Sequence, residues 1–209
     1  QPRAWFNADL ESRNFYVPGI IAMLVMLVGL MLTSMAIVRE KEAGTIEQIM
    51  VTPIQPLEFI LGKCAPFAVI GFVNTAMVSA IALLWFEIPF RGSFALLLLG
   101  VALFLLSTLG VGLFISTVSQ TQQQAMMTTF FFFFPAMLFS GFIFPIANMP
   151  TVIQWMSLLD PLRYMLVIIR GVFLKGVGLE ILWPQLAALA ALGVAVLTFA
   201  VRRFHKHLS

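Results

Sequence analysis

The chain has 209 residues, 61% of them apolar and only 10% charged, with a net charge of +3 and a mean hydropathy of +1.01. Soluble domains carry about 25% charged residues, so the 12 basic and 9 acidic side chains here are too few to cover a water-facing surface. Apolar runs of about 20 residues between short polar breaks point to an all-α integral membrane protein and exclude a soluble fold, a disordered chain and a membrane barrel.

Residues 1–17 read as an extracytoplasmic lead-in. Gln1 is not an initiator Met and the stretch lacks the basic flank and cleavage pattern of a signal peptide, so the chain is expected to begin partway through a longer protein. The first predicted span, Pro18 to Val38, opens on a proline in its first turn and closes against Arg39-Glu40-Lys41-Glu42.

The loop 39–65 is the most informative polar stretch. Gly44 permits a turn, and Thr45 with Gln48 three residues later fits a capping box that starts a short helix. Ile46, Ile49 and Met50 share one face of it until Thr52-Pro53 stops the run. A helix of about 10 Å cannot recross the membrane, so an amphipathic segment along the inner surface is expected. Pro56 opens the next helix with Glu58 in its first turn, and that helix can run past Gly62, Lys63 and the kink-prone Pro66 into the second span, Pro66 to Phe86. A solvated connector needs neither the cap nor the two prolines; a rigid polar element at a membrane face is a docking candidate. The sole cysteine, Cys64, excludes an intramolecular disulfide and a thiolate metal cluster and reads as a small packing residue.

The third span runs from Phe94 to Val118 and the fourth from Ala125 to Phe144. The fourth holds Phe130 to Phe134 in succession, which cannot all face one way on a helix, and then Pro135, a predicted kink. The phenylalanines are either ordinary lipid-facing bulk or an aromatic wall on a pathway for apolar molecules. Thr33, Asn74, Phe130, Phe131 and Phe134 are the candidate path residues.

Residues 145–181 read as an extracytoplasmic helical hairpin, with helices over Thr151 to Leu159 and Pro161 to Leu174 and Asp160 as the N-cap between them. Leu162, Met165, Ile169, Val172 and Phe173 form one stripe, opposite Arg163 and Arg170. The hairpin is expected to lie at or dip into the outer leaflet as a lid, anchored by Trp155 and Tyr164, with Arg163, Tyr164 and Arg170 available to headgroups or an anionic substrate. The last span is Leu182 to Val201.

The tail 202–209 begins Arg202-Arg203 directly after that span, which places the C-terminus in the cytoplasm by the positive-inside rule. Its basic residues are membrane flank, so no nucleic-acid partner is expected. None of the five spans contains Asp, Glu, Lys, Arg or His, which argues against proton-relay coupling within the chain. His205 and His207 lack acidic or thiol partners, and there is no GxSxG, HExxH or P-loop. A transport subunit that is not an enzyme is expected, without metal or cofactor, drawing its energy from another chain.

The loop Arg39 to Glu58, REKEAGTIEQIMVTPIQPLE, continuing to Gly62-Lys63, resembles the corresponding loop of permease subunits of type-2 ATP-binding-cassette exporters of the bacterial drug-exporter kind. Ser140 to Pro150, SGFIFPIANMP, then Asp160 to Tyr164 and Arg170 to Gly176, resemble the same family's outer hairpin, so the resemblance covers nearly all of the chain. It implies six spans per subunit, with one span and an extracytoplasmic domain upstream of Gln1, in the bacterial inner membrane. It further implies a second permease copy or a related permease, and cytoplasmic ATPase subunits that carry the ATP and Mg. The helix around Thr45 to Val51 would be the coupling helix, with Glu40, Lys41, Glu42, Thr45 and Glu47 as its exposed groups and Gly44, Pro53 and Pro56 setting its shape. Export of apolar or amphipathic, drug-like molecules is the function implied. A lipid or polysaccharide exporter of the same family and a non-transporting membrane assembly protein are the alternatives, and a secondary transporter is disfavoured by the charge-free spans.

Overall fold

The structure, a computed structural model, describes residues 12–45 and 56–208. In chain order its helices are α1 (Ser12–Ser34), α2 (Val38–Glu42), α3 (Pro56–Leu84), α4 (Phe94–Val118), α5 (Gln122–Phe139), α6 (Thr151–Met156), α7 (Pro161–Arg170) and α8 (Leu179–Leu208). Short 3-10 turns at Ile146–Asn148 and Ser157–Leu159 flank α6, and a π-helical turn, Gly171–Lys175, extends α7. The described residues contain no strand, as expected where hydrocarbon leaves every backbone amide to be paired within its own helix.

Among the described residues, four helices are long and apolar enough to cross a membrane: those of α1, α3, α4 and α8. A fifth crossing exists if α6 and α7, bent by 84° at Asp160, count as one broken span. The stretch predicted as the fourth span, Ala125 to Phe144, is helical only over Gln122–Phe139. Gly141, at φ +83°, takes the left-handed conformation that ends a helix. Three glutamines fill the first turn, leaving about 22 Å of apolar helix at 1.5 Å per residue. That is short of the hydrocarbon thickness of about 30 Å.

The central element is α4, which packs on α8, α1, α3, α5 and α7. Its Leu97, Val101, Phe104, Leu105 and Leu113 are buried in the core. Lipid is as apolar as leucine, so apolarity alone does not bring helices together; close contact needs small residues. A Cβ on Gly112 would overlap Thr33 Oγ1 of α1, and one on Gly110 would stand 3.1 Å from the Leu197 backbone nitrogen of α8. Ser107 Oγ donates across the same α4–α8 seam to Leu189 O at 3.2 Å.

The hairpin departs from the predicted lid. α7 is inserted among α1, α4 and α8. The predicted stripe is buried, and so are Leu166 and Ile168, which widen it to about 160° of the helix circumference at 100° per residue. That face meets three helices at once, so it is covered by protein on several sides and not only by lipid.

Candidate functional site

Two features stand out, one at the α4–α5 turn and one along the flank between α5 and α8. The first is the elbow where α1 turns into α2. The helix breaks after Ser34, and the free N–H groups of Ile37 and Val38 both donate to Ser116 Oγ, at 2.9 and 3.1 Å. Lys41 Nζ donates to the carbonyls of Thr117 and Ser119, at 2.9 and 3.2 Å, where the last carbonyls of α4 favour a cation. The Glu42 carboxylate accepts from Gln122 N at 2.8 Å and also from the Gln122 side chain, an acid at the N-terminus of α5. Glu40 pairs with Lys63 of α3 and accepts from Thr45 Oγ1. Gly44 is left-handed at φ +70°, and Thr45 N donates to Glu40 O at 3.1 Å.

The elbow therefore ties α1 to α3 and to the α4–α5 turn at once. Glu40, Lys41 and Thr45 are half-buried and face these internal partners, whereas Glu42 and Gly44 are exposed. The sequence reads all of the polar groups as outward contacts, and the difference arises because Ser116, Thr117, Ser119 and Gln122 stand opposite them. Pro56 is the first residue of α3. Glu47, Pro53 and most of the expected coupling helix lie outside the described residues.

The second feature is a cavity of about 750 Å³. α5 packs on α1, α2 and α4, and the gap it leaves beside α8 is floored by α4 and closed at one end by the hairpin. Phe114, Phe131, Phe132, Phe139 and Phe199 supply most of its aromatic wall, with Val111, Pro135, Leu192, Ala195, Met156 and Leu159 between them. Thr128 and Asp160 are its polar side chains. It opens on the flank of the bundle, where Phe131 is 81% exposed.

Of the five candidate path residues, Phe131 lines this cavity and the other four do not. Thr33 is buried and donates to Gly29 O of its own helix at 2.6 Å. Asn74 sits on α3 with its Nδ2 buried and without a hydrogen-bond partner among the described residues. Phe130 and Phe134 are exposed and stack on each other with ring centroids 6.2 Å apart. In the hairpin, Arg163 Nη1 donates to Ser157 Oγ at 2.6 Å and Tyr164 OH to Leu158 O at 2.8 Å. These bonds hold the 84° bend. Arg170, half-buried, ends α7. Cys64 is buried.

The polar cluster Ser116 to Gln124 was the signal for the elbow's partners: with two spans between them, it and the loop 39–65 emerge on the same side of the membrane. Asp160 was legible as an N-cap but not as a cavity residue.

A helical bundle with charge-free spans, a braced polar elbow and an apolar cavity open to its flank defines a membrane protein of the permease class. The chain belongs to the ABC-2 type transporter family, whose profile matches residues 4–174. It is 35% identical over 197 residues to the probable multidrug ABC transporter permease YbhR of Escherichia coli, covering 92% of this chain and 54% of that protein. It is 36% identical over 177 residues to the probable multidrug ABC transporter permease YbhS, covering 84% and 47%. To the inner membrane transport permease YhhJ it is 31% identical over 213 residues, covering 99% and 55%. The chain thus spans about half the length of the curated relatives it matches.

Proposed function

We propose that the chain is the membrane-spanning part of an ATP-driven exporter that moves apolar or amphipathic small molecules out of the cytoplasm or the inner leaflet, with ATP hydrolysed on a separate chain. The observation that carries this reading is the cavity: about 750 Å³ lies within the usual range of about 300–1,000 Å³ for small-molecule sites. Its aromatic wall suits an apolar guest and not a hydrated ion. The names of the relatives support a multidrug role.

In this reading the loop after α1 receives the motion of the ATPase, with the C-terminus also cytoplasmic, in the bacterial inner membrane and beside a second permease. The elbow passes the motion on. Because α2 is bonded to Lys63 of α3 and to the α4–α5 turn, a push on the loop moves α5 against α8 and changes the cleft between them. Glu47→Arg, on the expected coupling helix, should abolish substrate-stimulated ATP hydrolysis.

The test is transport into inside-out vesicles carrying the full-length permease with its partner ATPase. A lipophilic fluorescent compound should accumulate with ATP and not with a proton or sodium gradient alone. Accumulation on a gradient alone, or failure of any ATPase to co-purify, would overturn the reading. Because the cavity opens toward lipid, movement of a labelled phospholipid is measured in parallel; transport of the lipid and not of the compound would favour the lipid-exporter alternative.

A further inference from the structure

Among the described residues, the cavity wall contains a single ionisable side chain, Asp160. It is 7% exposed. Its Oδ1 accepts from Leu162 N at 3.0 Å and so caps α7, but its Oδ2 is buried without a hydrogen-bond partner among the described residues. No described lysine or arginine forms an ion pair with it. The nearby Arg163 acts on Asp160 through its charge but gives its Nη1 hydrogen bonds to Ser157 Oγ and Gln154 O, at 2.6 and 3.4 Å.

Capping alone does not account for this carboxylate. Asn or Ser caps a helix as well as Asp does, without placing an ionisable carboxyl group in an apolar wall. An acidic group buried in an apolar wall is costly unless it is paired, and a buried polar atom without a partner asks for a donor. The same cavity is lined by five phenylalanines, a residue type whose ring face attracts cations.

We propose that the cavity recognises amphipathic monocations that carry an N–H donor, such as protonated lipophilic amines. The ammonium is received by Asp160 and the apolar body by the phenylalanine wall. The inference rests on the reading of the cleft as the substrate chamber.

The experiment compares a lipophilic fluorescent amine with its uncharged N-acyl analogue, measuring binding and ATP-driven transport in proteoliposomes of the full-length permease with its ATPase. Wild-type protein should bind the amine at least tenfold more tightly than the analogue. Asp160→Asn, which keeps the cap, should lower affinity for the amine about tenfold and leave the analogue within twofold. Asp160→Ser, a second capping variant, should behave in the same way, and unchanged melting temperatures would show that both proteins fold. Equal losses for both compounds, or none for either, would overturn recognition of charge while leaving the chamber intact. If blocking the cavity by Ala195→Phe changes neither the binding nor the transport of either compound, the chamber reading falls and this inference with it.

Discussion

α8 meets its two neighbours in opposite ways. Against α4 the contact is closed: Gly110 and Gly193 bring the backbones together and Ser107 bonds across the seam. Toward α5 it stays open, and the gap is walled by phenylalanines that are partly exposed. Both faces are apolar, so hydropathy does not distinguish them. The difference lies in side-chain size, because in lipid the gain on association comes from van der Waals contact that small residues permit and bulky ones prevent. One seam is scaffold and the other is available to a guest.

Four substitutions set the closed contacts of α4, with α1, the elbow and α8, against the open side. The largest effect is expected at Gly112, where any side chain would overlap Thr33. Gly112→Leu should destabilise the bundle by about 3 kcal/mol, read as a shift in the unfolding midpoint in detergent. Ser116→Ala comes next, since it strips two buried N–H groups, those of Ile37 and Val38, of their acceptor. A loss of about 2 kcal/mol is expected, with faster hydrogen exchange at those two amides. A third substitution acts on the open side. Ala195 lines the cavity and is exposed, so Ala195→Phe should leave the unfolding midpoint in place while lowering transport about tenfold, equivalent to about 1.4 kcal/mol. The smallest effect is expected for Ser107→Ala, which removes one bond of the closed seam and should cost about 0.6 kcal/mol. A stability loss at Ala195 as large as that at Gly112 would erase the distinction between scaffold and guest site.

The long apolar runs of α1, α3, α4 and α8 were legible because each is a local property of composition. The α7 stripe and its Asp160 cap were legible for the same reason, since helical periodicity places those residues without reference to the rest of the chain. The early end of α5 was hidden: the phenylalanine run keeps hydropathy high up to Phe144, while the backbone turns at Gly141. The insertion of α7 into the bundle depends on a groove that only three other helices create together. The elbow shows the limit most clearly. Glu40, Lys41 and Glu42 were recognisable as special, but their partners Ser116, Ser119 and Gln122 are about 80 residues away in sequence. The cavity was invisible in the sequence because it is a contact that is not made, and of the polar and aromatic residues proposed for a path only Phe131 reaches it.

The central claim is that the α5–α8 cleft holds the transported molecule. In full-length permease with Cys64 replaced by alanine and a cysteine introduced by Ala195→Cys, labelling by an apolar maleimide tests it directly. The labelling rate should fall at least tenfold in the presence of a transported compound, with half-protection at the concentration that half-saturates transport. Labelling that proceeds at the same rate when transport is saturated would contradict the account.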